Sequence, residues 1–219
     1  MELWKNFREG LMQNLFSQRL RFKKGIGEKY PGWEEKKLSN LYCKGKAGGT
    51  PKSTETKYYN GNIPFLSIAD MTSQGKYISS TEKMITEEGL SNSSAWIIPE
   101  NSLLYSIYAS VGFVAINKIP MSTSQAIFGI ILKNDINIEY VYYFLLDYKK
   151  HIHRLIETGT QGNLNSKIVN DIIINLPSIR EQEKISYFLK EIDNKFDKIT
   201  IELVKMKEFK KGLLQQMLC

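Results

Sequence analysis

Between Glu181 and Leu218 the chain contains no proline and a single glycine, Gly212. An unbroken helix of about 38 residues is therefore allowed, about 57 Å long at 1.5 Å per residue and longer than a small domain is wide. Apolar residues fall at Ile185, Leu189, Ile192, Phe196, Ile199, Leu203, Met206, Leu213 and Met217, in steps of three and four interrupted once at Lys210. This is a heptad seam, which water cannot satisfy. The spacing predicts pairing with another copy or another protein; the alternative is a terminal helix lying across its own domain. Pro177 and Ser178 stand just before the helix, and Glu181 and Glu183 fall in its first turns, where carboxylates suit the helix dipole.

The segment Phe7-Arg8-Glu9-Gly10-Leu11-Met12-Gln13-Asn14-Leu15 returns near the other end as Phe209-Lys210-Lys211-Gly212-Leu213-Leu214-Gln215-Gln216-Met217. One domain's worth of unrelated sequence lies between the copies. Helix plus domain, repeated, is the pattern of a tandem array. A shorter helix is expected over residues 3–18, packed against the C-terminal one. Function is to be sought in an assembly.

The chain's 219 residues, 42% of them hydrophobic and 24% charged, suffice for one ordinary core plus an appendage. Cys43 and Cys219 are far apart and in no chelating spacing, so a reducing compartment is expected. No apolar run approaches the roughly 20 residues of a membrane span, and the first ten residues lack the apolar core of a signal peptide. A cytoplasmic protein with no membrane role is the expectation. The net charge of +7 suits a polyanionic partner, but it divides as +4 over residues 1–40, +2 over 41–180 and +1 over 181–219. Charge alone therefore does not establish nucleic-acid binding, which leans on phosphate neutralisation.

Between Pro31 and Pro177 short apolar runs alternate with glycine, asparagine, serine and proline. Strands are predicted over Ile63–Ile68, Ala95–Ile98, Ser102–Tyr108, Phe113–Ile116, Ala126–Leu132 and Ile172–Asn175. A helix is predicted over Ile138–Glu157, where Ile138, Val141, Phe144, Leu145, Tyr148, Ile152 and Leu155 form an apolar stripe. The fold class is α+β, a sheet of short strands with a helix, followed by the long C-terminal helix. Long polar loops, Gly45–Asn62 and Thr158–Lys167, are where recognition residues usually sit.

Recognisable catalytic chemistry is missing. Gly48-Gly49-Thr50-Pro51 lacks the spacing and following helix of a phosphate cradle. His151 and His153, two apart on a helix, point to different faces and make no metal pair. Glu55-Thr56-Lys57 has the form of a metal-dependent nuclease motif, but no upstream acid on a strand completes it. No catalytic residue and no metal ligand is assigned.

Several segments together resemble the specificity subunits of type I restriction-modification systems. They are Gly49-Thr50-Pro51, Tyr59-Asn60-Gly61-Asn62-Ile63-Pro64-Phe65, Ser110-Val111-Gly112-Phe113, Ser124-Gln125-Ala126, and the run from Asn175-Leu176-Pro177 through Glu181-Gln182 to Ile185. Phe7–Phe16 resembles the end of a first spacer helix, and Tyr30-Pro31-Gly32-Trp33-Glu34 the entry to a recognition domain. The resemblance divides the chain into the end of a helical spacer (1–24), a target recognition domain (25–179) and a long spacer helix (180–219). It implies the C-terminal half of a specificity subunit or a half-sized one. Two departures are Phe65, where tryptophan is frequent, and Glu183, where glutamine is common.

The resemblance further implies a non-catalytic chain that chooses a site on double-stranded DNA, reading one half of a split target. Methyltransferase subunits would dock on it and restriction subunits join them. S-adenosylmethionine, ATP and Mg belong to those partners, and this chain carries no cofactor of its own. Pairing of two copies through the C-terminal helix, a homodimer, would supply a second reader. Phosphate contacts are expected from Lys44, Lys46, Lys52 and Lys57. Base contacts are expected among Ser106, Tyr108, Ser110, Ser124, Gln125, Gln161, Asn163 and Asn165, whose short or amide side chains suit base edges. A fold-holding role stands open beside each, above all for Ser110 and Gln125. Tyr58, Tyr59, Tyr105 and Tyr108 either stack on nucleotides or close a core. Two other readings compete: a coiled-coil scaffold without DNA specificity, and an autonomous nuclease using Glu55 and Lys57.

Overall fold

In the computed structural model the described residues are 2–25, 27–158 and 164–217; the side chains of residues 2, 5, 153–158, 216 and 217 lie outside the description. The core is built by three strands that are apolar on both faces. They are β6 (Leu103–Ser106), β7 (Val114–Asn117) and β9 (Ile127–Leu132), counted along the chain after β1 (Glu34–Lys37), β2 (Tyr42–Ala47), β3 (Tyr59–Leu66), β4 (Tyr77–Ile78) and β5 (Lys83–Ile85), with β8 (Ser122–Thr123) between the last two. Side chains alternate across a strand. Leu103, Tyr105, Val114, Ile116, Phe128 and Ile130 therefore enter one core, while Leu104, Ala115 and Ile127 enter another with Met71, Ile78, Trp96, Ile98 and Met121.

The principal sheet has the order β2-β9-β6-β7-β4, antiparallel except where β4 joins β7. A second sheet has the order β5-β3-β8, and β3 is followed by a helix α2 (Ile68–Gln74) whose start carries a capping box: Asp70 N–H donates to Ser67 Oγ and Ser67 N–H to Asp70 Oδ2, both 3.1 Å. A short α3 (Glu87–Ser91) follows β5. Strand β10 (Ile173–Leu176) pairs with β1 and closes the domain.

One face of the principal sheet is covered by α4 (Ile138–Thr158), whose Tyr140, Val141, Phe144, Leu145 and Ile152 are buried as the apolar stripe requires. The N-terminal α1 (Glu2–Phe16) adds Met12, Leu15 and Phe16 to the same core. A short α5 (Ser166–Asn170) precedes β10.

The long helix α6 runs Ile179–Met217 without a break. Its heptad seam is divided. Ile185 and Leu189 are about 1% exposed and belong to the domain's own core, so they are not free for a partner helix. Ile192 is half-buried, and Phe196 stacks on Trp4 of α1 with ring centroids 5.8 Å apart. From Ile199 the seam is open: Leu203, Met206 and Leu213 are all exposed. The side chain of Met217 lies outside the described residues. The first half of the seam thus lies across the chain's own domain, and the second half is exposed.

The expected strand Ala95–Ile98 is reduced to a single bridge, Ile98 with Met121. The loop expected over Gly45–Asn62 holds strand at both ends, because Gly45, Lys46 and Ala47 pair with Ile130, Gly129 and Phe128 and the segment from Tyr59 begins β3.

Candidate nucleic-acid interface

The register of the principal sheet sends three connections to one end. Ala47 at the close of β2 lies opposite Phe128, Ser106 at the close of β6 opposite Ile127, and Val114 at the start of β7 opposite Tyr105. The turn after β2, the β6–β7 loop and the turn before β9 therefore emerge together. Backbone bonds tie them: Gly48 N–H to Ile127 O (2.9 Å), Gly49 N–H to Thr123 O (3.0 Å) and Ile107 N–H to Ala126 O (2.8 Å). The Thr50 hydroxyl donates to Gln125 Oε1, and the Tyr59 hydroxyl to Pro51 O at 2.7 Å.

This closeness is what the glycine pair permits. A Cβ on Gly48 would sit 2.2 Å from Thr123 O, and one on Gly49 2.2 Å from Ser94 Oγ. The segments that looked scattered in sequence, Gly49-Thr50-Pro51, Tyr59, Ser110-Val111-Gly112-Phe113 and Ser124-Gln125-Ala126, meet around this one sheet end.

Of the residues expected to touch bases, Tyr108, Ser110 and Gln125 are exposed there and Ser124 is half-buried. Leu164 N–H donates to Ile107 O at 3.0 Å and brings the stretch leading to Asn165 beside them. Ser106 is different. It is fully buried, its hydroxyl donates to Ser110 O (2.6 Å) and accepts from Phe113 N–H (3.0 Å), so it holds the loop and faces no base. Asn165 is exposed, yet its side chain caps α5 by accepting from Ile168 N–H at 2.9 Å. Gln161 and Asn163 lie outside the described residues.

The lysines flank this end unequally. Lys44 lies over the Trp96 ring, 4.3 Å from its centroid, and Lys46 donates to Ser94 O at 3.3 Å. Lys52 is loosely placed, 3.7 Å from Glu55. Lys57 is ion-paired with Glu88, which raises its pKa and offsets its charge locally. Lys57 is therefore the weakest phosphate candidate of the four. Glu88 is occupied by that ion pair, and among the described residues no group of three His, Cys, Asp or Glu could hold a metal ion.

A second constellation joins the domain to α6. Glu181, fully buried, accepts from Arg21 Nε and Nη2 (3.0 Å each) and Trp33 Nε1 (3.1 Å). Gln182 accepts from Asn137 N–H (2.9 Å) and donates to Pro177 O (2.8 Å). The first turn of α6 is thus locked by polar contacts as well as by Ile185 and Leu189. About three turns further along α6, Asp193 receives Arg8 Nε (2.6 Å) and the Tyr143 hydroxyl (2.7 Å), while Lys76 pairs with Glu139 at 2.6 Å. Burial pulls Lys76 below the usual lysine range, with Glu139 opposing that shift.

A family model described as the type I restriction modification DNA specificity domain matches residues 30–206. The chain belongs to this specificity family. It is similar to the type I restriction enzyme MjaIX specificity subunit of Methanocaldococcus jannaschii, 34% identical over 198 residues covering 82% of this chain and 44% of that protein. It is also similar to the HindI specificity subunit of Haemophilus influenzae, 32% identical over 196 residues covering 85% of this chain and 41% of that one. The chain thus spans less than half the length of these relatives. Its fold matches the crystal structure of the HsdS subunit from Thermoanaerobacter tengcongensis with a TM-score of 0.63, at 19% identity, over 89% of this chain and 45% of that one.

Within this specificity chain, the segments that carried the resemblance include those that build the sheet end and the α6 joint. Sequence reading missed Ser106 as a buried clamp, Arg21 as the partner of Glu181, and the Thr50–Gln125 contact. Arg21 carried no signal, since nothing local marks a guanidinium that will meet a carboxylate 160 residues later. No helix among the described residues is long and apolar enough to cross a membrane.

Proposed function

We propose that the chain is the non-catalytic DNA-reading component of a type I restriction-modification complex, acting on double-stranded DNA in the cytoplasm. The observation that carries this reading is the convergence of Thr50, Tyr108, Ser110 and Gln125 on one sheet end, flanked by Lys44, Lys46 and Lys52. Exposed hydroxyl and amide groups read base edges there, and the lysines set the duplex in register through its phosphates. One domain reads one half of a split target.

Methyltransferase subunits dock on the chain and restriction subunits join them; S-adenosylmethionine, ATP and Mg serve those partners. The open seam at Ile199, Leu203, Met206 and Leu213 pairs with a second helix, from another copy or another recognition unit, and fixes the separation of the two half-sites. Length supports this ruler role, because the 39 residues of α6 span about 58 Å.

Coexpression with a cognate methyltransferase subunit, followed by sequencing of the host genome for methylated adenines, tests the proposal. A split motif is expected, two-fold symmetric if two copies pair. Methyltransferase capture without any modified motif would favour the scaffold reading instead, and metal-dependent cleavage by the chain alone would favour the nuclease.

A further inference from the structure

The β6–β7 loop leaves three consecutive backbone donors unused. Among the described residues no hydrogen bond takes up the amide N–H of Ala109, Ser110 or Val111. The loop from Ile107 to Gly112 carries no charged side chain, so whatever it offers a polyanion comes from its backbone.

That backbone is held in an uncommon shape. Ala109 (φ 42°) and Ser110 (φ 47°) are both left-handed without being glycine, and Gly112 follows at φ 77°. Such geometry persists only where its surroundings enforce it. Ser106 enforces it from below: its hydroxyl donates to Ser110 O and accepts from Phe113 N–H, while its own carbonyl accepts from Gly112 N–H at 3.0 Å. The flanks are fixed as well, by Ile107 N–H to Ala126 O and Leu164 N–H to Ile107 O.

A cation stands beside the turn. The stem of Lys149 on α4 packs against Gly112, its Cγ 3.1 Å from where a Cβ would be, and its Nζ lies 5.7 Å from the Phe113 ring centroid. Lys149 forms no ion pair among the described residues. Successive free N–H groups in a tight turn make an anion-binding concavity, and a neighbouring ammonium strengthens it.

We propose that the Ala109–Val111 turn binds one backbone phosphate of the DNA, with Ser106 as the positioning residue and Lys149 as the flanking cation. This rests on the DNA-reading function proposed above. In this arrangement Ser110 meets a phosphate through its backbone, leaving base edges to Thr50, Tyr108 and Gln125; the contact sets register and carries no sequence information, so its loss weakens all duplexes alike. The same turn read as a base-contacting tip would behave differently, because its loss would change which base is preferred.

The full chain, copurified with its methyltransferase subunit, is titrated with duplexes carrying the recovered motif in which single phosphates are replaced by neutral methylphosphonates. One position is expected where neutralisation weakens binding by on the order of tenfold, as for a hydrogen-bonded charge. At that position Ser106→Ala is insensitive, its affinity falling equally on the motif and on single-base variants, while Ser106→Thr retains the hydroxyl and the sensitivity. Lys149→Gln, which removes the charge of this half-buried side chain and keeps much of its stem, lowers the salt slope by about 0.9, the value for one phosphate. A changed base preference in Ser106→Ala, or unaltered phosphate sensitivity in both Ser106→Ala and Lys149→Gln, overturns the site while leaving the DNA-reading function standing. A chain that binds no duplex in any form overturns that function and the site with it.

Discussion

The guanidinium of Arg21 grips both oxygens of Glu181, with Nε and Nη2 each 3.0 Å from a carboxylate oxygen. Glu181 is fully buried at the first turn of α6, whereas the Arg21 side chain keeps 27% of its exposure. The pair ties the segment ahead of β1 to the first turn of α6. Trp33 Nε1 donates to the same carboxylate, so three donors set the angle at which α6 leaves the domain.

Arg21→Ala leaves that carboxylate with only Trp33. Breaking a fully buried pair costs about 3–5 kcal/mol. Partial exposure of Arg21 discounts this to about 2–3 kcal/mol. Denaturant unfolding measures it as a lowered midpoint at unchanged m. A loss under about 0.5 kcal/mol would mean that the joint is held by Ile185 and Leu189 alone.

Tyr105 offers the opposite case. Its ring is fully buried in β6, and its hydroxyl has no hydrogen-bond partner among the described residues. Removing an unsatisfied buried hydroxyl stabilises, so Tyr105→Phe should gain about 1 kcal/mol and raise the Tm by about 2–4 °C. A clear loss of stability would show that the hydroxyl has an unseen partner.

Alkaline pH should destabilise the domain through its tyrosines. Burial raises the pKa of Tyr77, Tyr105, Tyr140 and Tyr143, and pushes Tyr142 up to about 12. A folded-state pKa above the unfolded value of about 10 means stability that is complete below about pH 10 and lost as pH rises through the folded values. Each tyrosine then contributes a slope of at most about 1.4 kcal/mol per pH unit above pH 10. Melting curves between pH 8 and 11 should fall only above about pH 10; a flat profile would contradict the burial.

The divided seam separates folding from assembly. Leu189→Ala should cost about 2–5 kcal/mol of domain stability, the range for truncation in a packed core. Leu203→Glu with Met206→Glu should leave the Tm within error and shift any paired species to monomer in analytical ultracentrifugation. Unfolding of the domain by the second pair would refute the division.

Much of this fold was legible in the sequence. The helix period of Ile138–Glu157 and of residues 181–218, and the apolar runs of β6, β7 and β9, are strong local signals. The second strand was not legible: Tyr42–Ala47 reads as an exposed basic stretch, and only its pairing with β9 makes it a strand. A heptad pattern also cannot say whether its partner is foreign, so Ile185 and Leu189 look identical to Leu203 and Met206 until α1 and α4 are in place. In the candidate site, a serine's chemistry is the same whether it is buried like Ser106 or exposed like Ser110; the turn geometry alone separates them. Asn165 ahead of Ser166-Lys167-Ile168 is a cap legible in the sequence, a local role that competes with a base contact.

The sheet end proposed to meet DNA carries Gly48–Pro51, Ile107–Gly112 and Ser124–Ala126. The opposite end, where β6 begins and β7 closes, carries Asn101 and Lys118. A photocrosslinking residue placed singly at Gln125 or at Asn101, in the complex bound to its duplex, compares the two ends directly. Crosslinks from Gln125 and none from Asn101 are the expected result; DNA captured from Asn101 and not from Gln125 would place the duplex on the wrong face and contradict the account.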